Sequence, residues 1–244
     1  MSTNRCYGSP PPGLDVAKLI GSLIVIEGPD SSGRSTHIQL LGEWLQQNGY
    51  PVAEVGLKRS RLVGRDLERA KQGNVLSPRT MSLFYATDFY DQLENIIAPA
   101  LRAGTVVLAD RYIFTLMARD IVRGADREWL ASLYSKAIVP DAVFYFEVST
   151  QTLVDRTLYA HGSLDYWESG MDVGLSRDWF GSFVRYQRRM RQEFKTLQKK
   201  YSFEIVNANR SLMTIHSDLK ARVLRVLQRA YTPASVTPHL TRTS

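Results

Sequence analysis

The sequence predicts a three-layer α/β fold, in which a parallel sheet is covered by helices on both faces. Two observations lead there. Short β-branched runs alternate along the chain with segments of helical periodicity, and that alternation favours parallel strands joined by crossover helices. A glycine-rich turn also joins the first run directly to the first amphipathic segment, at residues 28–35, where such folds commonly bind anions. The chain has 244 residues, 44% hydrophobic and 23% charged, which suits one globular domain with a substantial core.

The elements follow in order. Strands are expected at residues 23–27, 52–55, 105–109, 143–147 and 203–206. After the first, Ile38, Leu41, Trp44 and Leu45 recur at helical spacing until Asn48-Gly49 ends the element, because those two residue types tolerate the left-handed turn of a helix end. Ser77-Pro78 reads as the N-cap and first-turn proline of a long helix reaching about Ile96, which Pro99 kinks or restarts.

Residues 1–20, with Pro10, Pro11 and Pro12, read as a flexible leader. Residues 232–244 read as a flexible tail, with one domain over 21–231 between them. His161 to Gly174 carries three glycines with Asp165, Glu168 and Asp172 and has no periodicity. An irregular stretch of that length inside a compact domain points to function. Residues 160–177 are therefore expected to form a mobile lid.

The net charge of +7 suits nucleic acid, an anionic membrane or a polyanionic small substrate. No aromatic and basic interleaving of a nucleic-acid module is present. The first apolar run, 23–26, ends at Glu27-Gly28 and is too short for a signal-peptide core or a membrane span. Neither nucleic acid nor membrane is expected as a partner. The lone cysteine, Cys6, allows no disulfide within the chain and suits a reducing, cytoplasmic setting.

Gly28-Pro29-Asp30-Ser31-Ser32-Gly33-Arg34-Ser35 fits the phosphate-loop spacing G-x-x-x-x-G-K-[ST] with arginine in place of lysine. It follows a strand and opens a helix, the context the motif needs. The glycines let backbone N–H groups curl toward one centre, and the helix N-terminus adds its dipole. An ATP site is expected over residues 28–35 and Thr36, with the Ser35 hydroxyl facing Mg²⁺ on the phosphate oxygens. Arg34 leaves two readings open, an active enzyme or a protein that binds nucleotide without turnover. Arginine keeps the charge but is a broader group than the compact lysine ammonium.

The third run ends in Asp110-Arg111-Tyr112. A carboxylate at the carboxyl end of a parallel strand faces the ligand crevice of an open α/β sheet. There it can steer Mg²⁺ while the arginine grips a second phosphate.

Taken together, the motifs are collinear over about residues 22–228: Ile24-Val25-Ile26-Glu27-Gly28 and Asp30, the phosphate loop, Lys58-Arg59-Ser60 with Gly64, Tyr85-Ala86-Thr87-Asp88, Pro99-Ala100-Leu101, Asp110-Arg111-Tyr112, Pro140-Asp141 and Val206-Asn207-Ala208. In this order the chain resembles the thymidylate kinase family of P-loop nucleoside monophosphate kinases. The resemblance implies the P-loop NTPase fold with a five-stranded parallel sheet, ATP-dependent phosphoryl transfer to dTMP or a similar nucleoside monophosphate, Mg²⁺, and a homodimer. It implies that Asp30 approaches the acceptor sugar and that Arg59 and Arg111 hold the acceptor phosphate. Asp110 would order Mg²⁺, Arg156 would reach the phosphates, and Asn207 and Ala208 would border the adenine. Tyr85 would stack on the base, within an acceptor site that includes Tyr112.

Two positions depart from the family pattern. Phe89 stands where the family has an arginine that hydrogen-bonds the base, and Arg119 stands near the place of an aromatic under the sugar. Both fall in the expected acceptor site, and Asp91 with Arg119 would form a different reader. The lid is acidic where the family expects arginine. These departures keep two alternatives open: a kinase with a different acceptor, and a catalytically weak nucleotide-binding homologue.

Overall fold

The computed structural model describes residues 5–73 and 76–230. Five strands, β1 (Ser22–Glu27), β2 (Val52–Gly56), β3 (Val106–Asp110), β4 (Ala142–Glu147) and β5 (Glu204–Asn207), form one sheet in the order β2-β3-β1-β4-β5. Every pairing is parallel. The expected runs coincide with these strands to within a residue or two. β1 is central, and Ile26 pairs with Asp110 of β3. That register sets residues 28–35 beside residues 110–111, at the carboxyl edge where an open sheet binds ligands.

The layers follow from the two-residue period of a strand. Leu23 and Val25 face one apolar cluster with Val107, Ala109, Val143 and Tyr145. Ile24 and Ile26 face the other with Val106, Leu108, Phe144 and Phe146. Both faces are buried, which is why β1 reads as a continuous apolar run rather than an alternating one. The covering helices are α1 (Arg34–Gln47), α2 (Gly64–Gly73), α3 (Pro78–Gln92), α4 (Ala98–Arg102), α5 (Ile113–Val122), α6 (Arg127–Leu133), α7 (Thr150–His161), α8 (Trp179–Tyr201) and α9 (Leu212–Ala230).

The long helix behaves as its punctuation dictates. Ser77 caps α3 by accepting from the Thr80 N–H, and Pro78 takes the first turn. Leu93–Ile97 then widen into a π-turn, with the Ala98 N–H reaching the Leu93 carbonyl, before α4 carries on. Pro99 has no N–H to give, and its ring collides with the carbonyl four residues back in a regular helix; a widened turn accommodates it.

The leader differs from expectation. Residues 5–20 lie against the domain: Cys6 bridges Ile138 in antiparallel fashion, Arg5 pairs with Asp141 at 2.9 Å, and Cys6 is 1% exposed. Proline-rich composition hid the apolar side chains of Cys6, Tyr7, Leu14 and Leu19, which join the core cluster around Phe114. Burial raises the Cys6 thiol pKa, so it stays protonated. The expected tail, 232–244, lies outside the described residues. No helix among the described residues is long and apolar enough to cross a membrane.

Candidate active site

Gly28 lies so close to β4 that a Cβ there would come 3.0 Å from both the Phe146 Cβ and its carbonyl oxygen. Ser31 and Gly33 adopt φ of 59° and 92°. Left-handed residues within such a loop turn successive amides to one side as an anion nest. α1 begins without a side-chain cap, so its first N–H groups stay available for an anion, which the helix dipole favours. Around the nest, the Ser31 and Ser32 hydroxyls and the Nε atoms of Arg34 and Arg111 are buried without a hydrogen-bond partner among the described residues. Orphaned donors in such numbers mark a place that a ligand completes.

Two carboxylates organise the cations. Asp110 accepts from the Ser35 hydroxyl at 2.7 Å and from Arg34 at 3.0 Å, with Arg59 at 3.9 Å. Asp30 pairs with Arg111, with Arg119 at 3.2 Å and with Arg34 at 3.6 Å. Burial alone raises the Asp30 pKa, but Arg111, Arg119 and Arg34 outweigh it and hold the carboxyl well below its usual range. Arg34 is itself pulled down to about 10, by burial and by the neighbouring Arg111, against Asp110 and Asp30.

Arg111 reaches Asp30 through a left-handed turn, φ 72°, an uncommon conformation for a side chain of its size. Glu27 holds that turn. Fully buried, it accepts from the N–H groups of Tyr112 and Thr115 and from the Thr115 hydroxyl. Burial raises its pKa against those donors.

A cavity of about 300 Å³ opens from the loop and is lined by Gly28, Asp30, Tyr85, Arg111, Arg119 and Asp120 among others. Residues 162–178 form its outer wall. Trp167 Nε1 donates to the Lys71 carbonyl at 3.0 Å, and Arg123 grips Asp172 through Nε at 2.7 Å and Nη2 at 3.1 Å. Glu168 also lines the cavity. Burial and then the adjacent Asp30 carboxylate push it up to about 7.

The donor set fits Mg²⁺. Ser35 Oγ and an Asp110 oxygen are hard ligands held 2.7 Å apart, and Mg²⁺ on a nucleotide typically takes one or two protein oxygens with phosphate and water. No cluster of three or more His, Cys, Asp or Glu groups that could hold a metal is found among the described residues, so the phosphates would supply the remaining ligands.

Residues 26–170 match the family model described as thymidylate kinase. The chain belongs to the thymidylate kinase family. Relatives agree along almost their whole length. The probable thymidylate kinase 2 of Saccharolobus solfataricus is 34% identical over 201 residues, covering 82% of this chain and 94% of that protein. The probable thymidylate kinase of Pyrococcus horikoshii is 31% identical, covering 83% and 96%. The thymidylate kinase of an Exiguobacterium strain is 30% identical, covering 85% and 96%.

Of the residues expected from the resemblance to thymidylate kinases, the fold brings Asp30, Arg34, Ser35, Asp110 and Arg111 together and leaves Arg59 more exposed at their edge. Tyr85 and Arg119 line the cavity. Arg156 bridges the loop and the β5 end, donating to Ser32 O at 3.4 Å and Ala208 O at 3.0 Å. Asn207 Oδ1 accepts from the Asn209 N–H at 3.0 Å and shapes the same turn. Two residues fall elsewhere. Phe89 is 5% exposed among the rings of Tyr90, Tyr112 and Tyr134, and Tyr112 points its hydroxyl at the Ile138 carbonyl at 3.0 Å. Neither lines the cavity: Phe89, on the inward face of α3, and Tyr112, at the N-cap of α5, both turn into the core. Asp91 is held by Ser60 at 2.5 Å and Asn95 at 2.8 Å, away from Arg119.

Sequence reasoning missed Thr115, Asp120 and Arg123. They continue the Asp110-Arg111-Tyr112 motif at helical spacing along α5, and that spacing was the available signal. Tyr186 and Arg191, on α8, also line the cavity.

Proposed function

We propose that this chain is an ATP-dependent dTMP kinase that transfers the γ-phosphoryl group of ATP to dTMP to give ADP and dTDP. The single observation that carries this reading is the register that sets an anion nest at residues 28–35 against a cluster of three arginines, Arg34, Arg111 and Arg119, sharing Asp30. The family membership supports the acceptor.

Phosphoryl transfer of this kind needs no covalent intermediate; the protein positions two anions in line, offsets their repulsion and excludes water. The amides of residues 31–35 hold the β- and γ-phosphates. Arg34 exchanges its bond to Asp110 for the triphosphate, and its Nε, buried without a partner among the described residues, is free to join. Arg59 and Arg111 hold the acceptor phosphate, while Arg156 steadies the loop against residues 207–208, where the adenine lies. Residues 162–178 close the cavity against water. Ser35 and Asp110 would hold Mg²⁺, which would supply neutralisation of phosphate charge.

A homodimer in the cytoplasm belongs to the same reading; the exposed Leu62 and Leu83, beside α2 and on α3, are apolar surface for a partner copy, and sedimentation analysis tests it. A panel of nucleoside monophosphates assayed for ADP release with Mg²⁺ and ATP, with Arg34→Ala as control, tests the activity. Turnover of dTMP above all others is expected. Turnover of another nucleotide with none of dTMP overturns the acceptor assignment.

The Arg34–Asp110 pair favours a second reading, in which the loop cation stays committed to Asp110 and the chain binds ATP without transfer. Robust turnover by the natural sequence eliminates it.

A further inference from the structure

The cavity has one polar wall that the reading above leaves unused. Asp30, Arg111, Tyr85, Asp120 and Arg123 all line it. Arg111 precedes α5, and Asp120 lies in its last turn. The seven steps from Ile113 to Asp120 rise about 10 Å along the helix axis, on the scale of a nucleotide from its phosphate toward its base. With a phosphate at Arg111, the base lies between Tyr85 and Asp120.

Three donors around Asp120 also bond other groups, and the Tyr134 hydroxyl beside it has no hydrogen-bond partner among the described residues. Arg119 pairs with Asp30 at 3.2 Å. Arg123 is held by Asp172 and by the Tyr186 hydroxyl at 2.7 Å. Ser82, facing it from α3, donates to the Pro78 carbonyl at 3.0 Å. Asp120 makes no ion pair among the described residues, yet it lines this cavity and a second one behind it bounded by Ser82 and Pro78. A half-buried carboxyl that no cation holds keeps acceptor capacity for a ligand in the cavity, beside the Ser82 hydroxyl. Phe89, turned into the core, brings no donor to the cavity from α3.

We propose that Asp120 reads the acceptor base, its carboxyl accepting the ring N–H of a pyrimidine lactam and donating its own proton to the adjacent ring carbonyl. The inference rests on the dTMP kinase reading and deepens it. A carboxylic acid offers one donor and one acceptor side by side, which matches the N–H and C=O pair of thymine or uracil. Burial pushes Asp120 up to about 6, against Ser82, Arg123 and Arg119, so the proton is within reach near neutrality. The other titratable group facing it is Tyr134, at the end of α6, whose hydroxyl burial keeps protonated.

The test compares Asp120→Ala and Asp120→Asn with the natural enzyme, measuring kcat, the KM for dTMP and the KM for ATP. Asp120→Ala raises the KM for dTMP about tenfold or more, as loss of a paired buried contact does, with kcat and the KM for ATP nearly unchanged. Asp120→Asn, whose amide also carries one acceptor and a donor, restores the KM for dTMP. A purely structural role moves all three parameters in Asp120→Ala, and melting of each variant detects it. If the natural enzyme phosphorylates dTMP and Asp120→Ala leaves its KM unchanged, or Asp120→Asn fails to rescue, the Asp120 assignment falls alone. If the natural enzyme neither binds nor phosphorylates dTMP, the kinase reading falls and takes this one with it.

Discussion

The Arg34 guanidinium lies 3.0 Å from the Asp110 carboxylate. The cation of the phosphate loop and the carboxylate at the end of β3 are thus joined directly, with Ser35 on the other Asp110 oxygen at 2.7 Å. On the proposed kinase reading, nucleotide exchanges this pair for contacts with phosphate. Arg34→Ala removes the cation and is expected to lower kcat by about 10²–10³-fold, the range seen when one aimed transition-state donor is deleted. Arg34→Lys keeps the charge on a slimmer stem and is expected to retain activity within about tenfold. Steady-state kinetics on both variants decides; equal loss in the two means that guanidinium shape, not charge, carries the role.

Asp110→Asn keeps the shape of the group and removes its charge. It is expected to lower kcat by about 10²-fold and to raise the Mg²⁺ concentration needed for half-maximal rate, because one of two protein ligands weakens. A Mg²⁺ titration of initial rate checks this. An unchanged Mg²⁺ midpoint removes Asp110 from the metal.

Thr115 supports the turn beneath Arg111 by bonding the buried Glu27. Thr115→Val leaves a Glu27 oxygen without its hydroxyl donor and is expected to destabilise the fold by about 1–3 kcal/mol. Urea denaturation reads the loss. A variant as stable as the natural protein contradicts the role given to Glu27.

Glu168 gives the ligand-free protein a pH dependence. Its pKa rises from 4.5 to about 7 on folding, through burial and the neighbouring Asp30 charge. The folded state therefore holds the proton more tightly. That contribution is fully present below the unfolded value and is lost as pH rises through about 7. Stability attributable to Glu168 should fall between about pH 5 and pH 8, and Glu168→Gln should flatten that segment. A curve of the same slope in both proteins counts against the packed position of the lid.

Phe89 sits in a ring cluster with Tyr90, Tyr112 and Tyr134. Phe89→Ala is expected to destabilise the domain by about 3–5 kcal/mol. Phe89→Arg, which restores the residue type the family pattern has there, is expected to be at least as damaging, since it buries an unpaired charge. Thermal melting measures both, and a stable Phe89→Arg enzyme with a lower KM for dTMP refutes the core placement.

The sheet and the loop were legible because their signals are local. A strand's apolar run, a glycine spacing and a helix onset lie within about fifteen residues of each other at 23–36. The collinear arginines were legible for the same reason. What sequence could not supply was orientation. Phe89 and Asp120 are each one polar-or-apolar choice on a helix, and only packing decides that the first turns inward and the second lines a cavity. The leader misread has a similar origin: three prolines announced a loose segment, while the bridge from Cys6 to Ile138 depends on a partner more than a hundred residues away. Glu168 read as one acid in an acidic loop, and its pairing with Asp30 exists only once the lid folds over the cavity.

The most direct test of the kinase assignment is product analysis after the natural protein is mixed with Mg²⁺, ATP and dTMP. Chromatography should resolve dTDP and ADP accumulating in equal amounts, with neither formed when dTMP is withheld. ADP without dTDP, or no product at all, contradicts the assignment.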